Sequence, residues 1–435
     1  MLCALTALAL AALTGAAGAA ALSASEQANE ILRVSGVRAG LCVHIGVSDG
    51  KLTAALVRAG NFLVHGIALD ADSLAAARKH LQALKLYGKA SVERLAIQPL
   101  PYHEDTVNLL VVSDLPAALK AGLTVEEVLR VLTPNGVALS GGAQFRKGRA
   151  VRKEGWWPMA RKPQPQELAD WTHYEGGPDG SRVSKDLRVG PPRRLKWIDR
   201  PTMYLAHFSR PGGWVSGGGR VYYVYDERHP RMAGPARLNL VARDAYNGML
   251  LWRKPVPIPA KLRRGRPVFL AHAMVAAGDR LIAPMGENRS LVALDATTGK
   301  VVLDYKTGAA RVLLCGDALI LQGHTLRVLH PKTGKLRWKQ DTPYCKKILS
   351  GRARVYARFR RRDKKTRQYE WGVAAFDIKD GKELWWAPAG EDPIGYDDAR
   401  IILLARAAYH FQGKRKLAAL SADTAIALKL ELDGG

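Results

Sequence analysis

The sequence predicts two folds in series: an α/β Rossmann-like domain on a parallel sheet, then an all-β domain of radial blade repeats. Three observations carry this expectation. From residue 40 onward strands alternate with helices across glycine-bearing turns, the order that a parallel sheet with crossover helices imposes. Beyond residue 240 a polar residue, a glycine four positions on and usually a tryptophan four further recur at blade-length spacing. The chemistry also changes along the chain. Residues 1–140 hold eleven Lys/Arg against eleven Asp/Glu, so the whole net charge of +27 falls beyond them, as do all ten tryptophans. At 435 residues the chain exceeds what one ordinary core organises, and segments so different are not expected to share one.

Residues 1–24 form an apolar run with no charge before Glu26, ending in small residues. Such a run reads as a signal peptide or a membrane anchor, and places the protein outside the cytoplasm, in the periplasm or secreted. After Cys3 only Cys42, Cys315 and Cys345 remain, without a C-x-x-C or an adjacent pair, which argues against a metal cluster or a disulfide scaffold. A Cys315–Cys345 bridge and two separate thiols are both compatible with this spacing.

The α/β domain is expected over residues 30–142. A first strand, Leu41 to Ile45, runs into Gly46-Val47-Ser48-Asp49-Gly50, and a helix opens near Leu52. Glycines in such a turn let backbone amides approach a ligand. The next strand, near Phe62 to Leu69, ends at Asp70, twenty residues after Gly50, where an acid can accept hydrogen bonds from two ribose hydroxyls. VNLLVVSDLP reads as a buried central strand ending at Asp114. Gly46, Ser48, Gly50, Asp70 and Asp114 are therefore the candidate cofactor contacts. The turn also spells G-x-S-x-G, the nucleophile elbow of serine hydrolases. That elbow follows several strands, whereas this one follows the first, and none of His80, His103 and His173 stands in the context of a base. The turn lacks the G-x-G-x-x-G spacing of a dinucleotide site, and His44 reads as a core histidine.

A helix running into Leu132-Thr133-Pro134-Asn135-Gly136 and then a strand, taken with HIGVSDG and ALDAD, resembles class I SAM-dependent methyltransferases over residues 38–142. The resemblance implies SAM as cofactor, with Gly46, Ser48 and Gly50 along its methionine and ribose side and Asp70 on the ribose. The sequence departs from the family at three contacts: His44 replaces an acid, Ser48 a glycine, and Ala96 the acid that holds the adenine amine. The final antiparallel strands of the family's sheet are not expected. These departures predict a domain that keeps the fold and has lost the chemistry; the alternative is an active methyltransferase.

Residues 143–195, basic and rich in Pro and Gly, read as a connector that wraps into the next domain, with Trp171 and Trp197 anchoring it by packing. Repeats fill residues 196–435. LVARDAYNGMLLW, LVALDATTGKVVL, LRVLHPKTGKLRW and VAAFDIKDGKELW align Asp244, Asp295, His330 and Asp377 with Gly248, Gly299, Gly334 and Gly381. Trp252, Trp338 and Trp385 follow, with Leu303 in the remaining place. A weaker copy, LAALSADTAIALKL, carries Ser421 for the aspartate. In such a motif Asp bonds turn amides, Gly takes positive φ and Trp wedges between blades. The pattern resembles the tryptophan-docked repeats of PQQ-type β-propellers. It shows fewer copies than a full ring of that family, so an incomplete array from a longer chain is expected, the alternative being an open or smaller ring. PQQ itself is not expected, since no calcium site, catalytic aspartate or adjacent cysteine pair can be picked out, and no metal site is assigned.

Basic clusters stand at 146–153, 263–266, 358–367 and 414–416, the third at a hairpin tip between Tyr356 and Tyr369 where its charges are expected in solvent without an aromatic stacking platform. Such a surface attracts polyanions by counterion release. The expected partner of the basic propeller is a protein, an anionic polymer or an envelope surface; nucleic acid is a further candidate without a supporting motif. The function expected is that of an exported binding or scaffold protein with a degenerate methyltransferase-like domain. In the alternative, an active methyltransferase uses the propeller to recruit its substrate.

Overall fold

The computed structural model describes residues 22–146, 149–191, 195–198, 213–226, 237–257, 268–351, 353–363, 366–388, 392–396, 400–404, 417–421 and 427–430. The apolar run of residues 1–21 and the basic clusters 263–266 and 414–416 lie outside them. No helix among the described residues is long and apolar enough to cross a membrane.

The chain enters through α1 (Ala24–Ser35), which the sequence reading did not anticipate. Its start is fixed by a capping box: the Ser23 hydroxyl accepts from the Glu26 amide while the Glu26 carboxylate accepts from the Ser23 amide. There follow β1 (Ala39–Ile45), α2 (Lys51–Ala59), β2 (Asn61–Ile67), α3 (Ala71–Ala83), β3 (Ala90–Glu93), β4 (Val107–Val112), α4 (Leu115–Lys120), α5 (Val125–Val131), β5 (Leu132–Arg146) and β6 (Arg149–Arg161). The strand order is β3-β2-β1-β4-β5-β6. The first four pairings are parallel and β5–β6 is antiparallel.

The sheet therefore does carry a terminal antiparallel strand, contrary to expectation, and it continues to Arg161 through residues that read as connector. The charges of 146–153 mimic a solvated loop, but ladder pairing does not depend on side-chain polarity. Trp156, 6% exposed, lies over Gly141 on the neighbouring strand and ties β6 into the core.

Both faces of the sheet are covered, which is why its strands read as unbroken apolar runs. On one face Cys42, Val64, Leu109 and Val111 meet Ala28, Ile31, Leu56 and Leu81 of α1, α2 and α3. On the other, Val43, Ile45, Leu110 and Val112 meet Leu115, Val128 and Val131 of α4 and α5. Each such side chain removed from water is worth about 1.5–3 kcal/mol.

Beyond the connector five four-stranded antiparallel sheets follow in chain order. The first holds β7 (Trp214–Gly217), β8 (Arg220–Asp226), β9 (Leu238–Asp244) and β10 (Leu250–Pro255). The second holds β11 (Val275–Ala277), β12 (Arg280–Ala283), β13 (Val292–Asp295) and β14 (Val301–Asp304). The third holds β15 (Arg311–Cys315), β16 (Ala318–Gln322), β17 (Thr325–Leu329) and β18 (Leu336–Asp341). The fourth holds β19 (Lys347–Ser350), β20 (Arg354–Arg362), β21 (Tyr369–Asp377) and β22 (Glu383–Pro388). The fifth holds β23 (Asp392–Tyr396), β24 (Arg400–Leu404), β25 (Leu417–Ser421) and β26 (Ala427–Leu430). The first strands of successive sheets lie against one another, so the sheets are blades around a common axis.

The repeat motif is the turn between the third and fourth strand of each blade. Asp244 accepts from the amides of Tyr246 and Asn247, Asp295 from those of Thr297 and Thr298, and Asp377 from that of Lys379. Gly248, Gly299, Gly334 and Gly381 all sit at φ between +67° and +76°. Onto the turns of the second, third and fourth blades packs a ring from the preceding blade. The Trp252 indole lies over Gly299 and donates to the Ala296 carbonyl at 3.0 Å; Trp338 lies over Gly381 and donates to Ile378 at 2.9 Å. Where Leu303 interrupts the pattern, Tyr305 docks instead, its hydroxyl donating to Pro331. Trp197 performs the same docking on Gly248, with its Nε1 donating to Ala245 at 3.1 Å. It is thus a repeat residue, and its context Leu195-Lys196-Trp197, close to Leu336-Arg337-Trp338, was the signal for it.

The connector has a defined place. Residues 171–178 cross the first strands of four blades: Trp171 O accepts from Ser216 N, Thr172 O from Ala276 N, His173 Nε2 from Leu314 N and Pro178 O from Ser350 N. Trp171 stacks on Trp214 with centroids 5.6 Å apart. Within the connector the buried Glu175 carboxylate meets Arg182, Arg311 at 2.8 Å and Lys347 at 3.4 Å. Cys42, Cys315 and Cys345 are free thiols.

Candidate functional site

The carboxyl ends of parallel strands are where helix N-termini and glycine turns converge, and where α/β folds bind their ligands. Four of the five candidate residues flank the ends of β1 and β4, and Asp70 stands three residues past β2. Gly46, at φ +78°, follows β1 directly and donates its amide to the Ile67 carbonyl at the end of β2. A methyl group placed on Gly46 would stand 3.4 Å from the Asp114 amide, so these two are neighbours. Ser48 is exposed at the crest of the turn. Gly50 begins α2 at φ +78°, and a methyl there would lie 3.0 Å from Ala77 Cα; what it permits is the close passage of α2 and α3.

The two acids have local partners. Asp70 caps α3, one oxygen accepting from the Ser73 amide at 2.7 Å and the other from the Ser73 hydroxyl at 2.8 Å. Those bonds hold its carboxyl below the usual range. Asp114 caps α4 by accepting from the Ala117 amide at 2.9 Å. At the end of β1, His44 is 2% exposed and held between Thr53 Oγ1 at 2.9 Å and Ser113 Oγ at 2.7 Å. Burial lowers its pKa to about 4, so it is neutral at physiological pH. His44 spans two hydroxyls within the core, in keeping with its reading as a core histidine, and among the described residues no histidine is hydrogen-bonded to Ser48.

The propeller meets the sheet at its other end. Asn108, at the start of β4, donates to the Asp244 carboxylate at 2.7 Å, and its own oxygen accepts from Leu41 N and from Asn247 Nδ2 at 2.8 Å each. Asn247 Nδ2 also donates to Thr106 O, and the Asn61 side chain at the start of β2 donates to Leu251 O. Ala39 of β1 packs into the core of the first two blades. A polar cavity of about 350 Å³ remains in this junction, lined by Arg38, Arg161, Arg220 and Asp244 among others. The Asp244 carboxyl is raised by burial against the hydrogen bonds that lower it.

A family model described as a methyltransferase domain matches residues 43–136, and one described as outer membrane protein assembly factor BamB matches residues 236–402. This chain joins a methyltransferase domain to a PQQ-type propeller. Similar solved structures include an S-adenosyl-L-methionine-dependent methyltransferase, described as a likely one, from Methanococcus maripaludis: 21% identity, 26% of this chain, 52% of that one, TM-score 0.23. Geranyl diphosphate C-methyltransferase from Streptomyces coelicolor A3(2) is 18% identical over 27% of this chain and 44% of that one, with TM-score 0.25. The chain spans about half the length of these structures or less. No curated protein matches. The methyltransferase match ends at Gly136, and the BamB-type match begins inside the first blade, so β5 beyond Gly136, β6 and the connector lie outside both.

Proposed function

We propose that this protein is an exported binding or scaffold protein whose methyltransferase-type domain has lost methyl transfer and serves as a rigid partner of the propeller. The observation that carries the reading is the state of Asp70, whose two oxygens each accept a bond from Ser73. A ribose diol would have to share those oxygens with the helix cap. His44 supports the same reading, since a neutral imidazole buried between Thr53 and Ser113 stands where the family holds an acid. With His44, Ser48 and Ala96 at three of the family's contact positions, the residues present do not furnish SAM with its usual polar contacts. The apolar run at the start of the chain and the BamB-type match agree with a role in the cell envelope.

One observation favours a second reading, in which the domain is an active methyltransferase and the propeller recruits its substrate. The propeller is docked on the amino end of the sheet and leaves the carboxyl end, where Gly46 and Asp114 meet, outside the junction. Calorimetric titration of the whole chain with SAM separates the two. The binding-protein reading expects no binding at micromolar SAM, and the same result for Asp70→Ala. Micromolar binding that Asp70→Ala abolishes would establish the second reading instead.

A further inference from the structure

The fourth blade carries a cluster of cations that differs from its sequence reading. β20 and β21 do form the expected hairpin, with Arg362 opposite Tyr369. Its arginines, however, do not all stand in solvent: Arg358 is 3% exposed, and Arg360 and Arg361 are half-buried. Alternation along the strand sends them to opposite faces. Arg361 lies 4.2 Å from the Trp386 centroid and is paired with Glu383. Arg358 and Arg360 turn the other way, onto Trp371, at 4.6 and 4.9 Å from its centroid, and the exposed Lys346 joins them at 4.3 Å. An aromatic platform therefore does accompany the charge.

Three cations around one indole are held by its quadrupole and by backbone pairing, and they repel one another. Among the described residues neither Lys346 nor Arg360 is paired with a carboxylate, and the buried Arg360 Nε has no hydrogen-bond partner. Arg360 also reaches Tyr344, 5.7 Å from its centroid, which is 67% exposed and lines a cavity of about 580 Å³. Gln322 lines the same cavity at 6% exposure. Its Nε2 is committed to Cys345 O at 2.8 Å, while its buried Oε1 has no partner.

We propose that the rim of this cavity, where exposed Tyr344 adjoins Arg360 and Lys346, binds an anionic sugar unit of an acidic polysaccharide. Lys346 and Arg360 take the charged group and Tyr344 stacks on the ring. Two cations without a carboxylate partner beside an exposed aromatic face ask for an anion and a flat ring face in one residue of ligand, which an acidic sugar supplies. A nucleic acid would need phosphate contacts spaced along a track, whereas the unpaired cations here converge on one point. The site rests on the binding-protein reading and supplies its ligand class; because SAM is titrated separately, the two fail independently.

The test is calorimetric titration of the whole chain with a size-defined oligogalacturonate, with dextran as the neutral sugar and oligo-dT as the competing polyanion. The site predicts binding of oligogalacturonate over dextran, weakened about tenfold or more by Arg360→Gln, as loss of a charge-assisted hydrogen bond implies. Arg361→Gln, on the opposite face, should leave it unchanged. Tyr344→Ala, at an exposed position that folding does not require, should also weaken binding if Arg360→Gln proves unstable. Absence of oligogalacturonate binding, equal binding of dextran, indifference to both substitutions, or tighter binding of oligo-dT would each overturn the proposal.

Discussion

His44 lies between Thr53 and Ser113 with a pKa of about 4, against an ordinary 6.5. The unfolded chain therefore takes up this proton at higher pH than the folded one. The stability it confers is complete above pH 6.5 and is lost as pH falls from 6.5 towards 4, by up to about 1.4 kcal/mol per pH unit. Buried His173, with a pKa of about 3, acts in the same sense, its contribution falling from pH 6.5 towards 3. Thermal unfolding followed from pH 7 to 4 should show a falling midpoint, with a shallower fall in His44→Gln; equal slopes would contradict the assignment. Asp70 marks what a sequence leaves undecided at this scale. An acid shortly after a strand and before a helix serves a ribose or an N-cap equally well, and its distances to Ser73 show that the cap uses it.

Among elements, the repeat hairpins were legible because three residue types with separate physical jobs recur in register. The aspartate bonds to turn amides, the positive-φ glycines and, at Trp252 and Trp338, the docked ring are found where the motif placed them. Legibility failed where another residue took over a job. Tyr305 docks two positions beyond Leu303, and Trp197 does so from outside the recognised copies. Trp252→Ala, which removes a buried ring and its hydrogen bond, should cost about 3–5 kcal/mol by chemical denaturation. Tyr305→Ala should cost more than Leu303→Ala; the reverse order would return the docking role to position 303. The helix α1 escaped because its capping box abuts the apolar run, and β6 because basic residues on a sheet edge resemble a linker.

At the scale of the molecule, two domains with opposite chemistry are joined by side-chain amides and a carboxylate, Asn61, Asn108, Asn247 and Asp244, at the amino edge of the parallel sheet. One repeat aspartate thus serves its own turn and the junction together, a double use that the motif alone does not disclose. The connector then crosses four blades and buries Glu175 among Arg182, Arg311 and Lys347, which hold its carboxyl down at about 2. This arrangement fixes the carboxyl edge, with its Gly46 turn and its committed Asp70, on the side away from the propeller. Hydrogen–deuterium exchange of the whole chain, with and without saturating SAM, addresses that edge directly. Unchanged exchange over residues 46–50 and 70–74 is the expected result; protection of both segments by SAM would contradict the proposed loss of methyl-donor binding.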